Sequence, residues 1–249
     1  MRIAVVGSGI SGLASAWLLG REHEVVLFEA NDRLGGHTHT HAIELAGREY
    51  AVDTGFIVFN PQHYVLLCKM LDELGVTSQP TTMSFALRNE RSGLEYNATS
   101  LDGLFCQRRN LISPRFLGMV RDILRFYRQS PALLASDEAG PSLADYLREH
   151  RFGDAFRDDH LVPMASALWS SPDREILEFP AKYLVRFMHN HHMLQVSGRP
   201  EWRVVQGGSD RYVQALRKSW RVRERLGCAV MQVRRDADGV QIDSAQGRE

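Results

Sequence analysis

The residues best suited to chemistry are Gly7, Gly9 and Gly12 and, further along, the acid Glu29. Gly7-Ser8-Gly9-Ile10-Ser11-Gly12 has the G-x-G-x-x-G spacing of a turn that receives a dinucleotide pyrophosphate. Gly7 permits a turn that a Cβ would obstruct, Gly9 lets backbone approach the phosphates, and Gly12 lets the following helix pack on the strand. The unpaired N–H groups at that helix start form an anion site. Glu29 follows about 20 residues beyond the glycines, where a carboxylate accepts hydrogen bonds from ribose hydroxyls. Glycine-rich turns also occur in loops that hold no ligand, so the surrounding elements decide the reading.

Those elements agree with a βαβ unit. Residues 3–6 are a short β-branched apolar run ahead of the glycines. Ile10, Leu13, Ala14, Trp17 and Leu18 then form one apolar stripe at helical spacing. After a break at residues 20–23, residues 24–28 read as a buried strand that ends in Glu29.

Composition narrows the function classes. The 249 residues carry Lys+Arg 30 against Asp+Glu 30, and this balance gives no general attraction to nucleic acid. Cys68, Cys106 and Cys228 are far apart and contain no C-x-x-C pair, as expected of a reduced cytoplasmic chain. The first strand begins by residue 3, so no signal peptide is expected, and no run approaches the roughly 18 apolar residues of a membrane span. Peripheral contact with the inner membrane face stays open.

Directly after Glu29 the chain reads Ala30-Asn31-Asp32-Arg33-Leu34-Gly35-Gly36. The pattern E-x-x-x-R-x-G-G behind a dinucleotide βαβ unit resembles the FAD-dependent amine oxidase superfamily, which includes protoporphyrinogen oxidases and carotenoid desaturases. The Gly pair would let backbone pass close to the flavin diphosphate and ribityl chain, and Arg33 would offset phosphate charge. Many relatives carry a second arginine after the Gly pair. His37 stands there in this chain, a titratable group in place of a permanent cation.

Further segments narrow the resemblance: GGHTH from Gly35, VDTGFIVFN from Val52, Asn190 to His192, RPEWR from Arg199 and GGSDRYV from Gly207. Together they are similar to a bacterial family of NAD/FAD-binding, amine-oxidase-like flavoproteins associated with cyclopropane fatty acyl synthase genes. The resemblance implies FAD as cofactor, held by Gly7, Ser8, Gly9, Ile10, Ser11, Gly12, Glu29, Ala30, Arg33, Gly35, Gly36 and His37. It adds Gly55 and Phe56 beside the flavin ring, and Val230, whose backbone would face the adenine.

The expected fold is α/β, a Rossmann-like FAD-binding domain that is discontinuous in sequence. Residues 1–60 and 200–249 would build it, with residues 61–199 inserted as a mixed, mainly helical substrate domain. Residues 52–59 are expected to return to the sheet as a strand, with Gly55 marking a close approach. Pro61 is expected to open a helix that ends at Gly75, residues 83–96 form a hairpin, and Ser142 opens a capping box. Another hairpin follows Cys228. Relatives continue beyond the length of this chain with another parallel strand and a segment that covers the flavin, so a truncated product is expected. Substrate would enter between the two domains.

Other features are weaker. His37, His39 and His41 alternate, but no Cys or further carboxylate stands at ligand spacing, so no metal is expected. His189, His191 and His192 read as cap, core or pocket histidines. Arg108, Arg109, Arg115, Arg121, Arg125 and Arg128 lie among apolar residues, either as a solvated helix face or as a surface for anionic lipid or an acyl chain. The resulting expectation is an oxidoreductase that moves hydride from a small-molecule amine or a lipid-like substrate to FAD. Spacing marks no catalytic base. The alternatives are an NAD(P)-dependent dehydrogenase and a chain that binds nucleotide without catalysis.

Overall fold

In a computed structural model that describes residues 1–237 and 239–248, the opening sequence folds as strand, turn, helix and strand. β1 (Arg2–Val6) runs parallel to β2 (Glu24–Phe28), and α1 (Ile10–Leu19) crosses between them with Leu13, Ala16 and Trp17 buried. β2 pairs in parallel on its other side with the Val222–Arg225 strand. Leu27 packs into one core cluster and Val26 and Phe28 into another, so β2 is covered on both faces and its residues from Val25 to Phe28 form an unbroken apolar run. β1 lies at the edge of this three-stranded sheet, with Val6 55% exposed.

Two compact units emerge. The first joins Met1–Thr82 to the stretch from Glu201 onward, and the second is Met83–Pro200. The expected boundary at residue 61 therefore moves to 83. α2 (Val65–Glu73) sends Met70 and Leu71 into the same core as Leu13, Leu27, Phe59 and Leu216. The Ser78–Thr81 strand then pairs antiparallel with Trp202–Val205. These contacts tie residues 61–82 to the first unit.

The strand expected over residues 52–59 is also corrected. β3 (Thr40–Leu45) and β4 (Arg48–Asp53) form their own antiparallel ribbon, and beyond Asp53 only Phe59 rejoins β structure, through a bridge to Arg203. The two-residue turn explains this. Ala46 and Gly47 both have positive φ, at 52° and 72°, the conformation that matches a tight hairpin to strand twist. Only Val52 and Asp53 of the expected strand enter the ribbon, opposite His41 and Thr40, residues 54–58 form no strand, and the run does not reach the parallel sheet.

The second unit is mainly helical. Its hairpin pairs Ala86–Asn89 with Leu94–Asn97, and helices cover Pro114–Gln129, Leu143–Glu149, Val162–Trp169 and Ala181–Asn190. The expected cap is present: Ser142 Oγ accepts from the Asp145 N–H at 3.1 Å. Phe116, Phe126, Phe156, Leu161 and Leu184 fill the core. A π-helical turn at Arg157–Leu161 carries Asp159 and His160 into that interior, at 2% and 3% exposure. Among the described residues, no helix is long and apolar enough to cross a membrane.

Candidate cofactor site

The glycine turn is fixed by backbone before any side chain acts. Gly7 has φ +88°, and its N–H donates to the Phe28 carbonyl at 2.8 Å, which ties the turn to the end of β2. A Cβ on Gly12 would lie 1.9 Å from the Gly7 carbonyl oxygen, so only glycine fits where α1 leaves the turn. Gly7 and Gly9 differ from Gly12. A Cβ on either would meet nothing within 4 Å, so the space above them is open for a ligand. α1 has no side-chain cap and no acidic residue in its first turn, and its first N–H groups lack intrahelical acceptors. This end therefore has a partial positive charge toward the open space.

Glu29 is held at the same place. Its N–H donates to the Arg225 carbonyl and its own carbonyl accepts from Cys228 N–H, so backbone on both sides fixes the Cα. The carboxylate is buried, at 7% exposure, and turns back to the glycine turn. Oε2 accepts from Ser8 N–H at 2.8 Å and Ser8 Oγ at 2.5 Å, and Oε1 accepts from Asn31 N–H at 2.9 Å and Asn31 Nδ2 at 2.8 Å. Burial by itself would raise the pKa of Glu29. The hydrogen bonds from Ser8 and Asn31 outweigh it and hold the acid below the usual carboxylate range. The group is a charged acceptor held by neutral donors.

The Gly35-Gly36 turn closes on this arrangement. Gly35 N–H donates to the Ser8 carbonyl, and Gly36 lies so near that a Cβ on it would sit 2.8 Å from Gly9 Cα. Arg33 donates from Nη1 to the Thr38 carbonyl and from Nη2 to the Gly36 carbonyl, both at 2.9 Å. Its guanidinium thus braces the turn it precedes. Ile10, Ser11, Ala30 and His37 are exposed around the turn.

Other sequence-predicted residues lie apart from the glycine turn or serve backbone packing. A Cβ on Gly55 would be 2.0 Å from the His37 carbonyl oxygen, and Phe56 N–H donates to that oxygen, so the glycine accommodates the chain's own backbone. Phe56 stacks on Phe59. Val230 opens the Val230–Arg235 strand opposite Ser244 and packs against a small cluster with Val26, Phe28 and Cys228. His39 and His41 share one face with ring centroids 3.9 Å apart, and no group of metal-ligand residues occurs among the described residues.

Sequence reasoning named Ser8 but not its bond to Glu29, and it missed two further residues. Ser8 and Asn31 supply all four donors to Glu29, and an amide two residues past the acid was the available signal. Asp53 was the second. Its carboxylate accepts from Ser209 N–H at 2.9 Å, from Ser209 Oγ at 2.7 Å and from Thr40 Oγ1 at 2.5 Å, which ties β4 to the start of the Asp210–Ser219 helix.

Known proteins match this chain in sequence and fold. Residues 10–249 match the family described as flavin containing amine oxidoreductase. A Mycobacterium tuberculosis protein provisionally named flavin-containing monoamine oxidase AofH is 29% identical, over 99% of this chain and 54% of its own length. The chain thus spans about half the length of that relative. Among solved structures, putrescine oxidase bound to putrescine superimposes with a TM-score of 0.69 at 19% identity, over 100% of this chain and 56% of that one. A fatty acid isomerase from P. acnes superimposes with a TM-score of 0.60 at 17% identity, over 100% and 56%. The cofactor that accompanies the matched family is FAD. With a glycine turn, a buried acid and a family match over nearly its whole length, this chain belongs to the flavin-containing amine oxidoreductases.

Proposed function

We propose that this chain is an FAD-dependent oxidoreductase whose substrate is an amine, and that Gly7, Ser8, Gly9, Gly12, Glu29, Gly35 and Gly36 form its cofactor cradle. The buried Glu29 carboxylate carries the reading. It is ionised, it lies against the glycine turn, and its neutral donors can be exchanged for ribose hydroxyls without uncovering charge. The α1 N–H groups face the open space over Gly7 and Gly9, where the diphosphate would lie. Arg33 holds the Gly35-Gly36 turn in place rather than neutralising phosphate directly. His37, which follows the Gly pair, is exposed beside the turn. The same reading assigns Ile10, Ser11 and Ala30 to the rim, Gly55 and Phe56 to the flavin side and Val230 backbone to the adenine.

When bound, FAD supplies the acceptor for hydride from the substrate carbon. The chain's own part is to bind, to orient and to keep the acid ionised. Putrescine in the putrescine oxidase structure supports an amine as substrate, as does the monoamine oxidase name of the Mycobacterium tuberculosis relative. The experiment is a titration of the purified chain with FAD, followed by flavin fluorescence, with NADH as the rival ligand. Saturable quenching by FAD that NADH does not displace is the expected result. A chain that takes up no FAD, or prefers NADH, overturns the reading.

A further inference from the structure

The Gly35-Gly36 turn of the cofactor cradle is held by more than its own loop. Thr38 closes it with every polar group it has. Its N–H donates to the Gly35 carbonyl at 3.0 Å, its carbonyl accepts from Arg33 Nη1 at 2.9 Å, and its Oγ1 meets the Tyr212 hydroxyl at 2.5 Å. The last of these bonds spans 174 residues of sequence. Thr38 is 3% exposed and Tyr212 1%, so the bond is shielded from water. The Tyr212 ring lies in the same core as Leu13 of α1 and Leu34, which leads into the Gly pair.

The element that carries Tyr212 is itself fixed. The Asp210–Ser219 helix buries Tyr212, Val213 and Leu216, and its start is tied to β3 and β4. Asp53 accepts from Ser209 N–H and Oγ, and Thr40 Oγ1 accepts from Asp210 N–H at 2.9 Å while donating to Asp53 Oδ1. A Cβ on Gly208 would lie 2.3 Å from Thr40 Cγ2, so the segment entering the helix lies hard against β3. Thr38 and Thr40 thus fasten the turn and the ribbon to one helix.

Position matters at this turn because the clearance is small. A Cβ on Gly36 would sit 2.8 Å from Gly9 Cα, and Gly35 N–H donates to the Ser8 carbonyl at 3.1 Å. A small shift of Gly36 therefore presses on the glycine turn or opens a gap beside it. The Gly pair has no side chains to resist such a shift, with φ of +122° and +59°. Arg33 braces it from within the same loop, whereas Tyr212 ties it to a separate, anchored helix.

We propose, building on the FAD reading of this cradle, that Tyr212 is a positioning residue for the cofactor: its hydroxyl, through Thr38, sets the Gly35-Gly36 turn against Gly9. It acts through the turn and not by contact with FAD.

The test breaks the bond from each end and from both. Tyr212→Phe leaves Thr38 Oγ1 buried without this partner. The melting temperature is expected to fall, and FAD affinity, read by flavin fluorescence, to fall about tenfold with the loss of one hydrogen bond. Hydrogen exchange of the peptide covering residues 33–39, measured without ligand, is expected to quicken while β1 and β2 keep their rates. Thr38→Val should give the same changes, and Thr38→Ser, which keeps the hydroxyl, should retain the affinity. Tyr212→Phe combined with Thr38→Val leaves neither hydroxyl orphaned, so its melting temperature should recover while exchange stays fast and affinity low. A merely structural bond would not give that separation. Unchanged affinity or unchanged exchange in Tyr212→Phe overturns the proposal, as does recovery of affinity together with melting temperature in the double variant. Thr38→Val decides the matter if Tyr212→Phe does not fold. An unaltered chain that takes up no FAD overturns the cradle itself, and the exchange rates, read without ligand, keep that failure distinct.

Discussion

Glu29 and Asp159 are both buried carboxylates, and their surroundings differ in kind. Glu29 is held by four neutral donors from Ser8 and Asn31, with no cation among them. Asp159 is held by the Arg115 guanidinium and the Asn89 amide, inside an aromatic interior. Neutral donors can be traded for the hydroxyls of a ligand while the charge stays in place. An ion pair resists that trade, because removing the cation strands a charge in low dielectric. The first arrangement suits binding and the second suits a fixed interior, and this is the division between the two units.

The contrast can be tested most severely at Gly12. Gly12→Val puts side-chain atoms where the Gly7 carbonyl lies, so uptake of FAD should disappear and the melting temperature should fall, by overpacking of about 1–3 kcal/mol or more. Normal FAD absorbance in this variant would remove the turn from the site. Next in size is the response to acid. Burial, then the Arg199 charge, pushes His160 down from its ordinary 6.5 to about 4. The folded state thus binds fewer protons than the unfolded one between these values. Stability is complete above pH 6.5 and declines as pH falls toward 4, by about 3 kcal/mol.

The hydrogen bonds explain that sensitivity. Tyr96 donates its hydroxyl proton to the Asp159 carbonyl, so His160 Nδ1 must donate to the tyrosine oxygen, both at 2.8 Å. A second proton would go on Nε2, which is buried without a partner among the described residues. Glu29 behaves in the same sense, lower on the pH scale. Its folded pKa lies below the ordinary 4.5, so its contribution is present above pH 4.5 and is lost only as pH falls through the lower folded value. Urea titrations at a series of pH values should show the second unit weakening first, and His160→Gln should flatten the slope.

Glu29→Gln comes third. A Gln amide turns one oxygen into a donor that faces Ser8 or Asn31, and FAD affinity should fall about thirtyfold, or about 2 kcal/mol, as measured by fluorescence quenching. Tyr96→Phe is the smallest. It removes the bridge between Asp159 and His160 and should cost about 1 kcal/mol in urea denaturation while leaving FAD affinity unchanged. A loss of FAD affinity in this variant would break the separation of roles.

Local chemistry made part of this legible in the sequence. The glycine spacing and the unbroken run from Val25 to Phe28 each state their own structure, because close backbone contact and two-sided burial leave a direct residue signature. The ribbon over residues 40–53 was not anticipated, because Ala46-Gly47 is a less familiar pair for a tight turn than Asn-Gly. Asn31, two residues from Glu29, was passed over inside the E-x-x-x-R-x-G-G pattern, while the Ser8 bond to Glu29 and the Asp53 bond to Ser209 span 21 and 156 residues and left no local signal. No periodicity records a partner that far away. The pocket lined by Arg109, Asn110 and Asp159 was equally hidden, because its walls come from a 3-10 turn and a helix of the basic stretch and from a π turn well beyond it in sequence.

The marginal position of β1 has a consequence for handling. Along its outer side a row of peptide groups has no ladder partner among the described residues, and a valine protrudes at its far end. Such a margin templates pairing with any similar strand. Concentration, more than heat, should therefore decide whether a preparation stays clear, since copies can zip together there while each remains folded.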